Sequence, residues 1–215
     1  MAHGESSLVA PYFRDIEQQR ETNTLGMWVF LVTEVMLFGG IFMAYAVYFY
    51  NYPEAFGEAG RELDIVLSSV NTFVLLCSSL TMALAVWACQ SNKQKLLVIF
   101  LTSTLVLGSI FLGIKGFEYY EKYEKALIPG INWHYEGEFP DEAQIFFSLY
   151  FAATGLHATH MIIGGTVLAI ITMKAMRGFY SAVNFDTIEI MGLYWHFVDI
   201  AWVFIFPLFY LIERY

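Results

Sequence analysis

Glu189, His196 and Asp199 lie on one apolar stretch, the last two inside Tyr194-Trp195-His196-Phe197-Val198-Asp199. Carboxylates and an imidazole together can exchange protons or hold a metal. At about 100° per residue of helix, the three side chains fall within roughly 80° of one another. An ionisable group at membrane depth costs about 2.5–3.5 kcal/mol on insertion scales. Such a stripe must face protein or water rather than lipid tails, and His196 and Asp199 are expected to have partners there.

Glu34 stands alone between Val32-Thr33 and Val35-Met36, near the middle of another apolar run. Burial disfavours its charged form. It reads either as a proton-exchanging or lipid-contacting carboxyl, or as a protonated acid bonded to a neighbouring helix. His157 and His160 are three residues apart on one helix face, a spacing compatible with metal ligation. A di-metal bundle site adds Glu-x-x-His units and further carboxylates. Here only His157-Ala-Thr-His160 and His196-Phe-Val-Asp199 are available, and two of the five histidines, His3 and His134, fall outside the apolar runs. Interhelical hydrogen bonding is the commoner use of such residues, and no metal site is expected.

The elements that position these groups are long helices. The chain is 58% hydrophobic and 14% charged, against about 25% charged in soluble domains. Five runs near 24–50, 65–90, 95–118, 144–173 and 187–212 are long enough to cross a hydrocarbon layer of about 30 Å. They are too long for barrel strands and must satisfy their own backbone, so they are helices. The expected fold is all-α, a polytopic transmembrane bundle of five helices forming one domain over 1–215. Residues Met1 to Asn23 hold Glu5, Arg14, Asp15, Glu17 and Arg20 and no apolar core, so no cleaved leader is expected. Cys77 and Cys89 would be about 18 Å apart along one helix, too far to bridge.

Orientation follows from basic residues in short loops. The Lys93/Lys95 and Lys174/Arg177 pairs, with Arg14 and Arg20, place the N-terminus inside and the C-terminus outside. Arg61, Lys115, Lys122, Lys125 and Arg214 are assigned to the outer segments. Acids gather outside, where solvation explains them more readily than steering of a basic partner. A net charge of −9 excludes a basic nucleic-acid footprint. Glu118/Lys122 and Glu121/Lys125 read as helix-surface pairs, Pro129-Gly130 as a helix stop, Pro140-Asp141-Glu142 as a helix start, and Pro207 as a bend. Gly39-Gly40, Gly113/Gly116, Gly155 and Gly164-Gly165 offer small faces for close helix approach, and Asn71-Thr72 and Ser78-Ser79 offer donors between helices. No haem-attachment, P-loop or serine-elbow motif is present, so no catalytic residue is assigned.

Several stretches together resemble subunit III of the haem–copper terminal oxidases. They are Leu25-Gly26-Met27-Trp28-Val29-Phe30 with Glu34-Val35 and Phe38; Asn71-Thr72 with Leu75 and Ser78; Glu118-Tyr119-Tyr120-Glu121; Ala153-Thr154-Gly155-Leu156-His157-Ala158-Thr159-His160 with Ile162-Ile163-Gly164; and Glu189 with Tyr194 to Asp199 and Trp202. The matches are collinear over roughly 25–212. The resemblance implies a non-catalytic subunit packed against the large haem-bearing subunit I, contacting other oxidase subunits and membrane phospholipids, in a bacterial cytoplasmic membrane. It implies no redox centre or metal in this chain, haem and copper in the partners, and bound phospholipid. Glu34 carries over as the family's buried glutamate, linked to proton uptake. Asn71, Glu118, His157, His160, Glu189, His196 and Asp199 carry over as an interior polar network. Longer members have seven helices, and this chain matches from the third. Thr24 stands where those members have a basic residue, leaving Arg14 and Arg20 as substitutes for a lipid headgroup contact. The alternatives are a five-helix accessory subunit of nitric-oxide-reductase type and a stand-alone proton-coupled transporter using Glu34, His196 and Asp199.

Overall fold

In the computed structural model, residues 13–181 and 184–211 are described. Six helices follow in order: α1 Ile16–Asn51, α2 Pro53–Arg61, α3 Ile65–Gln90, α4 Gln94–Glu124, α5 Pro140–Met176 and α6 Asp186–Tyr210. All but α2 are long and apolar enough to cross a membrane. His3 and Arg214, and the expected end of the last helix at 212, lie outside the described residues.

The short helix α2 was not anticipated. Its polar sequence, Pro-Glu-Ala-Phe-Gly-Glu-Ala-Gly-Arg, contains two glycines and no long apolar run. Pro53 at its first turn presets the backbone for helix. Burial of Ala55, Phe56 and Ala59 then holds it against the bundle. The Phe56 ring packs at 5.3 Å from Tyr45 and 5.4 Å from Phe146. An aromatic plug thus closes this end of the molecule.

Helix α1 begins at Ile16, well before the apolar run. Asp15 caps it by accepting from the Gln18 backbone N–H at 2.8 Å, and the Gln18 side chain accepts from the Arg14 N–H at 2.9 Å. This reciprocal cap overrides the polarity of the first turns. Its 36 residues span about 54 Å. Only Leu31, Phe38 and Tyr45 are buried, one every seven residues, so α1 touches α5 and α6 along a single seam. Its remaining faces are exposed, Trp28, Val32, Val35 and Met36 among them.

Helices α3 to α6 make the core. Asp64 caps α3, accepting from Val66 and Leu67 N–H at 2.9 and 3.0 Å. Its buried Ser68, Asn71, Leu75, Ser78, Met82 and Ala85 repeat at alternating steps of three and four. In α4 the buried series Leu97, Leu101, Thr104, Gly108, Phe111, Lys115, Glu118 and Lys122 keeps the same rhythm. Two such seams pack lengthwise, joined by a tight turn in which Asn92 has φ +54°.

Small residues matter where rings cross. A Cβ on Gly108 would stand 3.0 Å from the Trp195 ring, one on Gly164 2.6 Å from Tyr194, and one on Gly192 3.1 Å from Val86. Among the expected small faces only Gly164 makes such an approach. Gly155 has Tyr119 at 3.8 Å, and a Cβ on Gly39, Gly40, Gly113, Gly116 or Gly165 would meet nothing within 4 Å. Those glycines face away from the rest of the chain.

One terminator also differs from expectation. Helix α4 stops at Glu124, ahead of Pro129-Gly130, through a left-handed residue, Ala126, at φ +56°. The Leu127 N–H closes the turn on the Lys122 carbonyl at 3.0 Å. Helix α6, as expected, runs through Pro207, to Tyr210.

Candidate functional site

Ionisable groups collect in three places. The first is the α1–α5 seam. His160 Nε2 lies 2.9 Å from Glu34 Oε2, and its Nδ1 lies 2.9 Å from the Leu156 carbonyl. A carbonyl only accepts, so Nδ1 carries a proton and donates it. A second proton is then shared between Nε2 and the carboxylate, as an imidazolium–carboxylate or a neutral pair. Both arrangements satisfy both groups. The Phe38 ring sits 5.7 Å from the imidazole, and the Tyr194 hydroxyl donates to the His160 carbonyl at 2.9 Å. Glu34 and His160 keep 14% and 11% of their side-chain surface exposed, so the seam is not sealed. Beside it, a mostly apolar cavity of about 420 Å³ runs between α1, α5 and α6, lined by Asn23, Met27, Gly164, Thr187 and Tyr194 among others.

The second is sealed in the core. Lys115 Nζ donates to Glu118 Oε2 at 2.9 Å and to the Tyr210 hydroxyl at 2.5 Å. Glu118 Oε1 accepts from Tyr150 at 2.7 Å and also from Tyr210. The ammonium stands 4.6 Å from the Trp202 ring centre, a cation–π contact strengthened by desolvation. Lys122 is also buried and donates to the Glu62 carbonyl at 2.5 Å, tying α4 to the end of the α2 turn. Lys115 is therefore not an outer-loop residue, and Glu118 pairs three residues back with Lys115 rather than forward with Lys122. Of the two expected surface pairs only Glu121–Lys125 forms, at 2.8 Å. Glu121 raises the affinity of the Lys125 ammonium for its proton.

The third lies along α6, where the expected stripe does not converge. Glu189 is exposed in the first turn of α6, where an acid favours the positive helix end; it is not an interior group. His196 Nδ1 meets Ser79 Oγ at 2.8 Å, so its partner is on α3 and is not Asp199. Asp199 is 3% exposed, and neither carboxylate oxygen makes a hydrogen bond of normal geometry. Ser79 is the polar group near enough to act on it, but that hydroxyl is engaged with His196. His157 is fully buried between the Phe111 and Trp202 rings, at 5.4 and 5.0 Å, with both nitrogens unpaired. Asn71 donates to the Phe111 carbonyl at 3.4 Å.

Indole groups complete the interior. Trp195 Nε1 donates to Ser78 at 3.0 Å and Trp202 Nε1 to Thr72 at 2.9 Å. Arg20, a candidate headgroup contact, instead pairs with Asp186 at 2.8 Å and lies 5.0 Å from the Phe185 ring, fastening α1 to the start of α6. Arg14 is exposed. At the α2 end, a cavity of about 540 Å³ is lined by Glu58, Arg61, Glu62, Lys125 and Tyr135 among others. Burial, with Glu58 nearby, pushes the Tyr135 phenol up to about 12. Among the described residues, no three His, Cys, Asp or Glu side chains converge to hold a metal.

Sequence reasoning named Glu34 and His160 separately but did not join them. It missed Tyr150 and Tyr210. Lys115 left a signal: a cation inside the apolar run Leu112-Gly113-Ile114-Lys115-Gly116-Phe117, three residues before an acid.

These arrangements can share or hold protons and lock helices together. The family described as "Cytochrome c oxidase subunit III" matches residues 16–213. Proteins named "Probable quinol oxidase subunit 3" are similar over almost the whole chain. That of Staphylococcus saprophyticus is 33% identical over 192 residues, covering 88% of this chain and 89% of its own. That of Staphylococcus aureus is 31% identical over 193 residues, covering 89% and 90%. That of Staphylococcus haemolyticus is 30% identical over 194 residues, covering 89% and 90%. With its five membrane-length helices, the chain belongs to the cytochrome c oxidase subunit III family.

Proposed function

We propose that this chain is the non-catalytic third subunit of a bacterial respiratory oxidase, lying in the cytoplasmic membrane with its N-terminus inside. It packs against the haem-bearing subunit I, stabilises it, and supports proton uptake through Glu34. Haem and copper belong to the partners. The names of the relatives favour a quinol as reductant of the complex. Phospholipid fills the grooves between subunits, with Arg14 free to meet a headgroup.

The observation that carries the proton reading is the Glu34–His160 pair. Its shared proton can sit on either partner without orphaning the other, and its partial exposure leaves a route for exchange. A group with these properties near subunit I can hold a proton available without binding a redox centre.

The test is purification through a tag on this chain. Haem and copper absorbance in the isolated complex is expected, with a steady oxidase rate. Glu34→Gln is expected to keep the haem content and to reduce the number of turnovers before inactivation. A complex without haem would end this reading. Co-purification with a copper-free iron–haem reductase would replace it with the nitric-oxide-reductase alternative. Proton flux through the reconstituted single chain would support a transporter.

A further inference from the structure

Helix α4 carries a surface groove unrelated to the seam or the core. At its first turn a cavity of about 430 Å³ lies between α4 and the last turn of α5, lined by Gln94, Lys95, Val98, Ile99, Ala175 and Met176. A second, of about 650 Å³, continues along α4 past Val98, Ile99, Ser103, Val106 and Leu107, with Thr81 of α3 on its wall. Val98 and Ile99 belong to both, so the two form one furrow. From Gln94 to Leu107 it runs about 20 Å along the helix, enough to cross one leaflet of a hydrocarbon core about 30 Å thick.

The polar atoms of the furrow decide what fits it. Ser103 Oγ is spent on the Ile99 carbonyl at 2.9 Å, and Thr81 Oγ1 on the Ser78 carbonyl at 2.8 Å. The Gln94 amide is spent on the Ala175 carbonyl at the end of α5. Apart from Thr102, which also lines the furrow, a partner helix seated here would find little to bond with. Lys95 is exposed at the mouth and enters none of the ion pairs among the described residues. Lys93, 4.2 Å from the Trp87 ring centre, and exposed Arg177 lie at the same end. An apolar trough one leaflet deep, with cations at its mouth, is complementary to an acyl chain carrying an anionic headgroup.

We propose that this furrow holds an anionic phospholipid, its phosphate paired with Lys95 and one acyl chain lying along Val98, Ile99 and Leu107. The site lies away from both Glu34 and Arg14. It rests on the assignment of the chain to a membrane oxidase complex. Neutral lipid fills the trough but lacks the pairing at its mouth, so charge decides retention.

The test uses the assembled complex in nanodiscs of equal phosphatidylglycerol and phosphatidylcholine, extracted into mild detergent and weighed by native mass spectrometry. Haem content is read from the same sample, so a failed assembly is distinguished from a failed lipid site. The wild-type complex is expected to retain phosphatidylglycerol in preference. Lys95→Glu is expected to lower the retained phosphatidylglycerol at least fivefold relative to phosphatidylcholine. Ser103→Trp, which fills the trough and leaves Lys95 in place, is expected to lower both. Unchanged phosphatidylglycerol retention in Lys95→Glu with haem intact would overturn the proposal. So would equal loss of the two lipids in that variant.

Discussion

Glu34 and Glu118 are carboxylates in long apolar helices, yet their surroundings have little in common. Glu118 is 1% exposed and accepts from a lysine and two tyrosines, so both oxygens are filled by groups on three helices. Among the described residues Glu34 is hydrogen-bonded to His160, at the seam where α1 packs on α5 and α6. A buried charge network holds helices in register only while every member is satisfied. A half-open pair with one shared proton has little to lose when that proton moves. The contrast separates a sealed lock from a half-open pair, the geometry on which the proposed proton role of Glu34 rests.

The lock should fail hardest. Glu118→Leu leaves the Lys115 ammonium buried without its anion, and breaking a buried pair in this way costs about 3–5 kcal/mol. The expected result is loss of this chain from the purified complex. The double variant Lys115→Met with Glu118→Leu should recover much of the yield, because it removes both charges. Equal loss in single and double variants would show that the tyrosine contacts, not the charges, hold the site.

Packing next to the lock comes second. Gly108→Ala drives a methyl into the Trp195 ring at 3.0 Å, and overpacking typically costs about 1–3 kcal/mol. Gly113→Ala, one turn and a half along the same helix but in open space, should leave the thermal midpoint of the complex unchanged. If the two variants melt alike, the Trp195 contact does not restrict this helix pair.

Asp199 tests whether burial alone makes an acid structural. Removing a partnered polar group would orphan its neighbour, and pairing with His196 would make Asp199→Leu worse than Asp199→Asn. Since His196 is bonded to Ser79, the two variants should differ by less than about 1 kcal/mol, because no orphan is created. A much lower thermal midpoint for Asp199→Leu would reveal a partner for that carboxylate in the assembled complex.

The smallest effect on stability belongs to the half-open pair. Glu34→Gln can still hydrogen-bond His160, and the midpoint should move by less than about 1 kcal/mol, the size of one net hydrogen bond. Its signature should be turnover lifetime instead. A destabilisation as large as that of Glu118→Leu would make Glu34 a second lock.

Much of this architecture was legible in residue order. Helix α3 begins and ends where the hydrophobic run does, because Asp64 caps one end and the Ser91-Asn92 turn closes the other. The start of α1 was less visible, since its first turns are polar and rely on the Asp15–Gln18 cap. Helix α2 was hidden for a related reason: much of its burial comes from Phe146 and Phe209, which are remote in the chain. On α6, angular spacing grouped Glu189, His196 and Asp199 correctly on one side of the helix. Their fates diverged because one side of a helix passes different neighbours along its length. Near its start the side is open, and further along it meets Ser79 and then the sealed core.

Five apolar spans, their helical character, an ionisable interior and the family of the ordered motifs can all be read along the chain, because each depends on local composition and spacing. Who pairs with whom emerged from the packed bundle. Glu34 found His160, and Lys115 turned inward to Glu118, Tyr150 and Tyr210. Asp199 was left with no hydrogen bond of normal geometry among the described residues. A hydrogen bond between helices is set by their rotation and separation to within a fraction of an ångström, and those quantities come from packing the whole bundle.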